Sequence, residues 1–248
     1  MSYAKGAKRA DIADIGVYSI LTNKYCIVHT DSSERIFSNF EADLHDVIPI
    51  VHTSISGIAS IGCMAVGNSK GLLVPDSITD LELRHLTNGL PDGVKVCRVD
   101  ERLCALGNTI VCNDSIAMVH PDIDKLTIDI IEDILMVDVI PGKIAGESIV
   151  GTFLALSNNG ALAHPRTSIV ELDELNSLLQ VPVVAGSVNR GKAAVGKGCI
   201  VNDFIAYTGK DTTSNEISVI ENIFKLLSGD VDVGYSESLR SAIIENLN

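Results

Sequence analysis

Three sets of residues have the types and spacing to do chemistry. Gly191-x-x-x-x-Gly196-Lys197 has the spacing of a phosphate-cradling loop, in which backbone N–H groups and a lysine bind phosphate oxygens. The next residue is Gly198, not the Ser or Thr that would hold Mg²⁺, and a strand-like run from Cys199 to Tyr207 follows where a helix N-terminus is needed. The motif therefore reads as a turn. His29, His120 and His164 are the imidazoles that recur along the chain, and Cys26, Cys63, Cys97, Cys104, Cys112 and Cys199 are its thiols. Neither H-x₃-H nor C-x-x-C accompanies them, so no metal and no cofactor is expected. The thiols read as reduced, mostly buried small apolar residues.

The elements that must position these groups draw on an aliphatic composition. The 248 residues are 46% hydrophobic but only 4% aromatic, with no Trp, so Ile, Val, Leu and Ala must build the core. Nineteen Lys and Arg against 32 Asp and Glu leave a net charge of −13. That field repels phosphates, which argues against a protein that clamps nucleic acid by neutralising its backbone and favours basic partners. No run approaches the roughly 18 apolar residues of a membrane-spanning helix, and no apolar stretch follows Lys5, Lys8 and Arg9, so a signal peptide is not expected.

The chain repeats itself. Gly16, Gly62, Gly107, Gly151 and Gly196 are separated by 46, 45, 44 and 45 residues. Asn23, Asn68, Asn113, Asn158 and Asn202 are separated by 45, 45, 45 and 44. Two such series in step define a repeat of about 45 residues, which decides the fold before any other signal. A short apolar run follows each Asn: 25–28, 72–74, 116–119, 161–163 and 204–207. Thr79-x-x-Glu82, Ser168-x-x-Glu171 and Thr213-x-x-Glu216 are capping boxes, Asp124 stands at the matching place in the third unit, and the first unit has Ser38-x-x-Glu41. Helical spacing follows in Leu172/Leu175/Leu178/Leu179, Ile217/Ile220/Phe224/Leu227 and Ile123/Ile130/Ile131/Ile134. Second strands are predicted over 48–55, 94–99, 136–140 and 181–188.

Each unit thus reads strand, strand, helix, strand. A closed ring with sheets inward and helices outward buries five such units without exposed terminal repeats. The fifth unit lacks its last strand, and the segment Ser2–Arg9 is predicted to supply it. The ring divides into 1–56, 57–102, 103–146, 147–190 and 191–226, and an acidic, mostly flexible tail is expected over 227–248.

From Gly16 to Leu226 the chain resembles the eukaryotic translation initiation factor 6 family of ribosome anti-association factors. The resemblance is carried by Val66-Gly67-Asn68-x-x-Gly71-Leu72-Leu73-Val74-Pro75, Ala105-Leu106-Gly107-Asn108, Cys112-Asn113-Asp114, the run from Leu178 to Gly191 and Asp211-Thr212-Thr213-Ser214. It implies a pentein-type five-bladed α/β propeller with pseudo-five-fold symmetry, helices outside and strands lining a central channel. It implies a binding role on the joining face of the large ribosomal subunit, against basic ribosomal proteins near the sarcin–ricin loop with limited ribosomal RNA contact. A part in large-subunit maturation and export, release by a dedicated GTPase and its partner protein, a monomeric state, and a place in cytoplasm, nucleus and nucleolus follow from the same likeness.

Carried onto this chain, the expected ribosome-binding residues are Asn108 first, with Gly107, Asn68, Asn113, Asn189 and Arg190. The five ladder glycines should line one rim, and turn geometry with positive φ accounts for them. The family's regulatory serine pair reads Asn176-Ser177 here, so Ser177 alone remains. The pentein fold also hosts guanidine-modifying enzymes with a Cys nucleophile. Cys199 lies late in the chain, as such a nucleophile would, but no Cys-His motif is beside it, and it reads as a buried thiol. A third reading, a ligand in the channel, meets a narrow aliphatic interior that suits ordered water better than a large molecule.

Overall fold

The computed structural model describes residues 6–30 and 40–226. Ser38 of the first capping box, Leu227 and the tail lie outside the described residues, as does the start of the predicted closing strand. β1 (Gly6–Arg9) precedes five copies of one unit. In the first, β2 (Ser19–Leu21) runs antiparallel to β3 (Cys26–His29), and β4 (Ile50–Thr53) runs parallel to β3 on its other side. The second sheet holds β5 (Val66–Gly67), β6 (Gly71–Pro75) and β7 (Lys95–Val99) in the same order. The third holds β8 (Ile110–Cys112), β9 (Ile116–Val119) and β10 (Asp138–Pro141), and the fourth β11 (Leu154–Leu156), β12 (Ala161–Ala163) and β13 (Val183–Ala185). In the fifth, β14 (Cys199–Val201) and β15 (Ile205–Thr208) have no later strand to pair with among the described residues. β1 takes that place, parallel to β15 from Gly6↔Ile205 to Arg9↔Thr208. The predicted closure is thus present.

A helix of ten or eleven residues crosses over to the third strand in the second, third and fourth units, Asp80–Gly89, Lys125–Leu135 and Ile169–Leu179, and Ser214–Ile223 packs against β1 in the fifth. Their starts follow from the sequence. Thr79 and Thr213 make full capping boxes with Glu82 and Glu216. Ser168 accepts from the Glu171 N–H, but the Glu171 carboxylate reaches out to the Ala145 N–H at 2.6 Å. Asp124 occupies the cap position without a side-chain capping bond, and Glu101 in the preceding loop accepts the Asp124 N–H at 3.1 Å, the part that the N3 Glu plays in a capping box. The helices bury one stripe, such as Leu175 and Leu179 or Ile131 and Leu135, while Asp129, Glu132 and Asp133 face solvent. Among the described residues no helix is long and apolar enough to cross a membrane.

The hydrophobic material is spread over five cores, and each lies between neighbouring repeats. Tyr25 and Ile27 of the first repeat pack with Leu72 and Val74 of the second. Val28 and Phe40 pack with Ile205 and Tyr207 of the fifth. No repeat can bury its apolar face alone, which is why the ring must close.

Candidate functional site

A four-residue helical turn leads into each innermost strand: Ile15–Tyr18, Ile61–Met64, Leu106–Thr109, Val150–Phe153 and Val195–Gly198. These turns are too short for a periodic signal, and the sequence shows only their glycines. Gly16, Gly62, Gly107, Gly151 and Gly196 meet around the axis. A Cβ on Gly107 would stand 2.3 Å from the Gly62 carbonyl oxygen, and one on Gly151 would stand 2.3 Å from that of Gly107. None of the five has positive φ. The expectation that turn geometry explains them is corrected: the requirement is close approach of backbone to backbone.

The residue after each ladder glycine sits at this glycine mouth. Val17, Cys63, Asn108 and Thr152 are partly exposed there, whereas Lys197 is buried. The Lys197 ammonium donates to the Gly62 carbonyl at 2.8 Å and to the Gly107 carbonyl at 2.9 Å. Burial in this setting lowers Lys197 from 10.5 to about 8, against a small opposing contribution from Cys63. Asn108 donates its backbone N–H to the Ala105 carbonyl, and its Oδ1 lies 3.5 Å from the Thr152 hydroxyl. Below the mouth a cavity of about 110 Å³ follows the axis, walled by the innermost strands through Leu21, Val66, Val111, Leu156 and Ile200. No carboxylate or imidazole is among its lining residues.

The opposite mouth is polar and closed by side chains. The Asn23 Nδ2 donates to Asp203 at 2.7 Å and Asp114 at 3.2 Å, and the Asn158 Nδ2 donates to the same two carboxylates at 2.8 Å each. Burial works to raise Asp114, but bonds from Ser69, Asn158 and Asn23 outweigh it and hold the carboxyl below its usual range. Just inside this ring stand Thr22, Asn68, Asn113, Ser157 and Asn202, each six residues after its ladder glycine. The Asn series read from the sequence therefore mixes two positions. Asn68, Asn113 and Asn202 hold the inner one, while Asn23 and Asn158 hold the outer.

The expected site residues are consequently not brought together. Gly107 and Asn108 share the glycine mouth. Asn68 and Asn113 are buried at the other end, donating to the carbonyls of Asn113 and Ser157 in the next repeat and accepting from their own turns. They are corrected from surface contacts to staples between blades. Asn189 is likewise buried, its Nδ2 bonded to the Ala13 carbonyl at 2.7 Å, which ties the end of the fourth repeat to the loop that follows β1. Arg190 is exposed at φ 61°, in a turn that Glu216 holds through the Arg190 and Gly191 N–H groups. Ser177 is exposed on its helix.

The sharper chemistries find no constellation. In the loop with phosphate spacing, Lys197 turns into the axis. Cys199 is buried in β14, where burial pushes its thiol up to about 12, unsuited to a nucleophile. His120 and His164 each accept a backbone N–H two residues ahead, in different blades. Among the described residues no three His, Cys, Asp or Glu side chains gather as metal ligands.

Five sheets closed by β1 around a plugged axis define a pseudo-five-fold α/β propeller of pentein type. The chain belongs to the eIF-6 family, whose model matches residues 5–223. It is 55% identical over 232 residues to eukaryotic translation initiation factor 6 of Saccharomyces cerevisiae, covering 94% of each chain. With the protein of that name from Drosophila melanogaster it shares 53% over 235 residues, 95% of this chain and 96% of the relative. Among solved structures, a cyanobacterial arginine dihydrolase aligns at TM-score 0.45 and 12% identity, over 70% of this chain and 28% of that one. A dimethylarginine dimethylaminohydrolase aligns at TM-score 0.45 and 11% identity, over 69% and 68% of the two chains.

Proposed function

We propose that the protein binds the joining face of the large ribosomal subunit through its glycine mouth, and that its bulk there blocks association with the small subunit. The observation that carries this reading is the placement of Asn108. It stands partly exposed at the glycine mouth, inside a chain matched to the family over residues 5–223. Arg190 joins Asn108 as a contact residue, because its side chain is exposed in the loop that leads into the Val195–Gly198 turn of the same mouth. The net charge of −13 suits basic ribosomal proteins near the sarcin–ricin loop and limits contact with ribosomal RNA.

Steric exclusion needs no turnover, so the protein acts as a binding factor rather than an enzyme. It acts as a monomer, since ring closure leaves no terminal repeat uncapped. It takes part in large-subunit maturation and export, moves between nucleolus, nucleus and cytoplasm, and is released by a GTPase with its partner protein. The test is co-sedimentation with isolated large subunits, together with an assay of subunit joining. Binding and reduced joining are expected, and Asn108→Ala or Asn108→Arg should weaken both in a ring that still unfolds cooperatively. Absence of binding at physiological salt would sink the reading.

A further inference from the structure

We propose that Lys197 is a positioning residue for the docking face: its ammonium crosses the axis from the fifth repeat and fixes the peptide planes that present Cys63 and Asn108. This rests on the docking reading above and names a residue that acts through Asn108. The two carbonyls that Lys197 bonds belong to the Gly62–Cys63 and Gly107–Asn108 peptide bonds. The partners are 135 and 90 residues away along the chain, so one side chain joins three blades at the mouth.

The same position in the other four repeats is partly exposed, and only Lys197 turns inward. The titratable groups that face it are thiols. Cys63 stands beside the ammonium, and Cys112 and Cys199 line the cavity wall, each pushed up to about 12 by burial, with Asp114 adding to the effect at Cys112. Among the described residues no carboxylate pairs with Lys197. A buried ammonium without an acid is a poor choice for stability, and methionine would fill the same space without desolvating a charge. The position therefore favours geometry at the mouth over stability of the ring.

The experiment titrates the full-length protein against isolated large ribosomal subunits by sedimentation, between about pH 6.5 and pH 9, which brackets the Lys197 value of about 8. Wild type is compared with Lys197→Met, Asn108→Ala and the double variant. Lys197→Met is expected to bind about three- to tenfold more weakly at neutral pH, the size of one or two lost hydrogen bonds. Wild-type binding should weaken as pH rises through about 8, and that dependence should vanish in Lys197→Met and in Asn108→Ala. The double variant should bind no worse than Asn108→Ala alone. Equal binding by Lys197→Met with the pH dependence retained would overturn the proposal, as would additive losses in the double variant. If wild type does not bind the subunit, the docking reading fails by itself. Hydrogen exchange of the amides at 106–109 in the free protein then decides on Lys197: exchange must quicken in Lys197→Met, and unchanged exchange refutes the positioning role.

Discussion

A methyl group on Gly62 would sit 2.1 Å from the carbonyl oxygen of Gly16, so the first and second repeats touch backbone to backbone at the axis. Gly62→Ala or Gly107→Ala therefore has to push two blades apart, since the obstructing atoms are carbonyl oxygens with no rotamer to escape into. Each should lower stability by about 2–4 kcal/mol. Gly57→Ala, whose Cβ would meet nothing within 4 Å, carries only the strain of its φ of 70° and should cost about 1–2 kcal/mol. Urea unfolding of the three variants checks the order.

Glu216 predicts an acid-labile clasp. Burial works to raise it, but bonds from Thr213, Ser187 and Gly191 outweigh burial and bring it from 4.5 to about 2. Its stabilisation is complete above pH 4.5 and is lost as pH falls toward 2. The group is half-buried and still reached by solvent, so screening reduces its value to about 1–2 kcal/mol. Glu216→Gln should be destabilised by that amount at neutral pH and should approach wild type near pH 2, measured as the difference between their unfolding free energies.

At the polar mouth Asp114 accepts from Asn23, Ser69 and Asn158. Asp114→Asn can turn a donor toward the donors of Asn23 and Asn158, and should cost about 1–3 kcal/mol although it changes one atom. Asp114→Ala leaves both amides without that acceptor and should cost a similar amount. Thermal melts of the two variants give the comparison, and an unchanged melt for Asp114→Asn would contradict the assigned network.

Lys197 should affect stability and docking in opposite senses. Its charged form is disfavoured in the fold, so the unfolded chain binds the extra proton between about pH 8 and pH 10.5. Stability relative to Lys197→Met therefore rises across that window, by up to about 3 kcal/mol. Below pH 8 the penalty is complete, and there Lys197→Met should melt roughly 6–12 °C higher than wild type. Differential scanning calorimetry at neutral and alkaline pH checks both the sign and the window.

The legible part of this fold is its repetition. The glycine ladder predicts five blades, and the spacing of Gly16 through Gly196 carries over unchanged to Thr22, Asn68, Asn113, Ser157 and Asn202. The asparagines mislead by one residue in the first and fourth blades, because Thr22 and Ser157 serve the inner position with hydroxyls and leave Asn23 and Asn158 on the axis. Composition cannot separate these roles, since hydroxyl and amide both satisfy a turn N–H. Thr79 and Thr213 announce their helices correctly. Asp124 makes no side-chain cap on its own helix, and the acid that accepts its N–H is Glu101, 23 residues earlier, rather than one three residues later. Lys197 is hidden for another reason. Its spacing advertises a phosphate loop, while its partners lie in other blades and come into view only when the ring closes.

That closure also orders events in time. β1 precedes every blade in the chain, yet its partner β15 is the last strand among the described residues, 199 residues later at Gly6↔Ile205. An N-terminal strand that must wait for the C-terminal blade cannot fold progressively, and any product cut short before residue 205 leaves β1 without a mate and the fifth core unfilled. The ring is thus a completeness check on its own synthesis: a partial chain has no route to a closed propeller and stays open to chaperones and proteases.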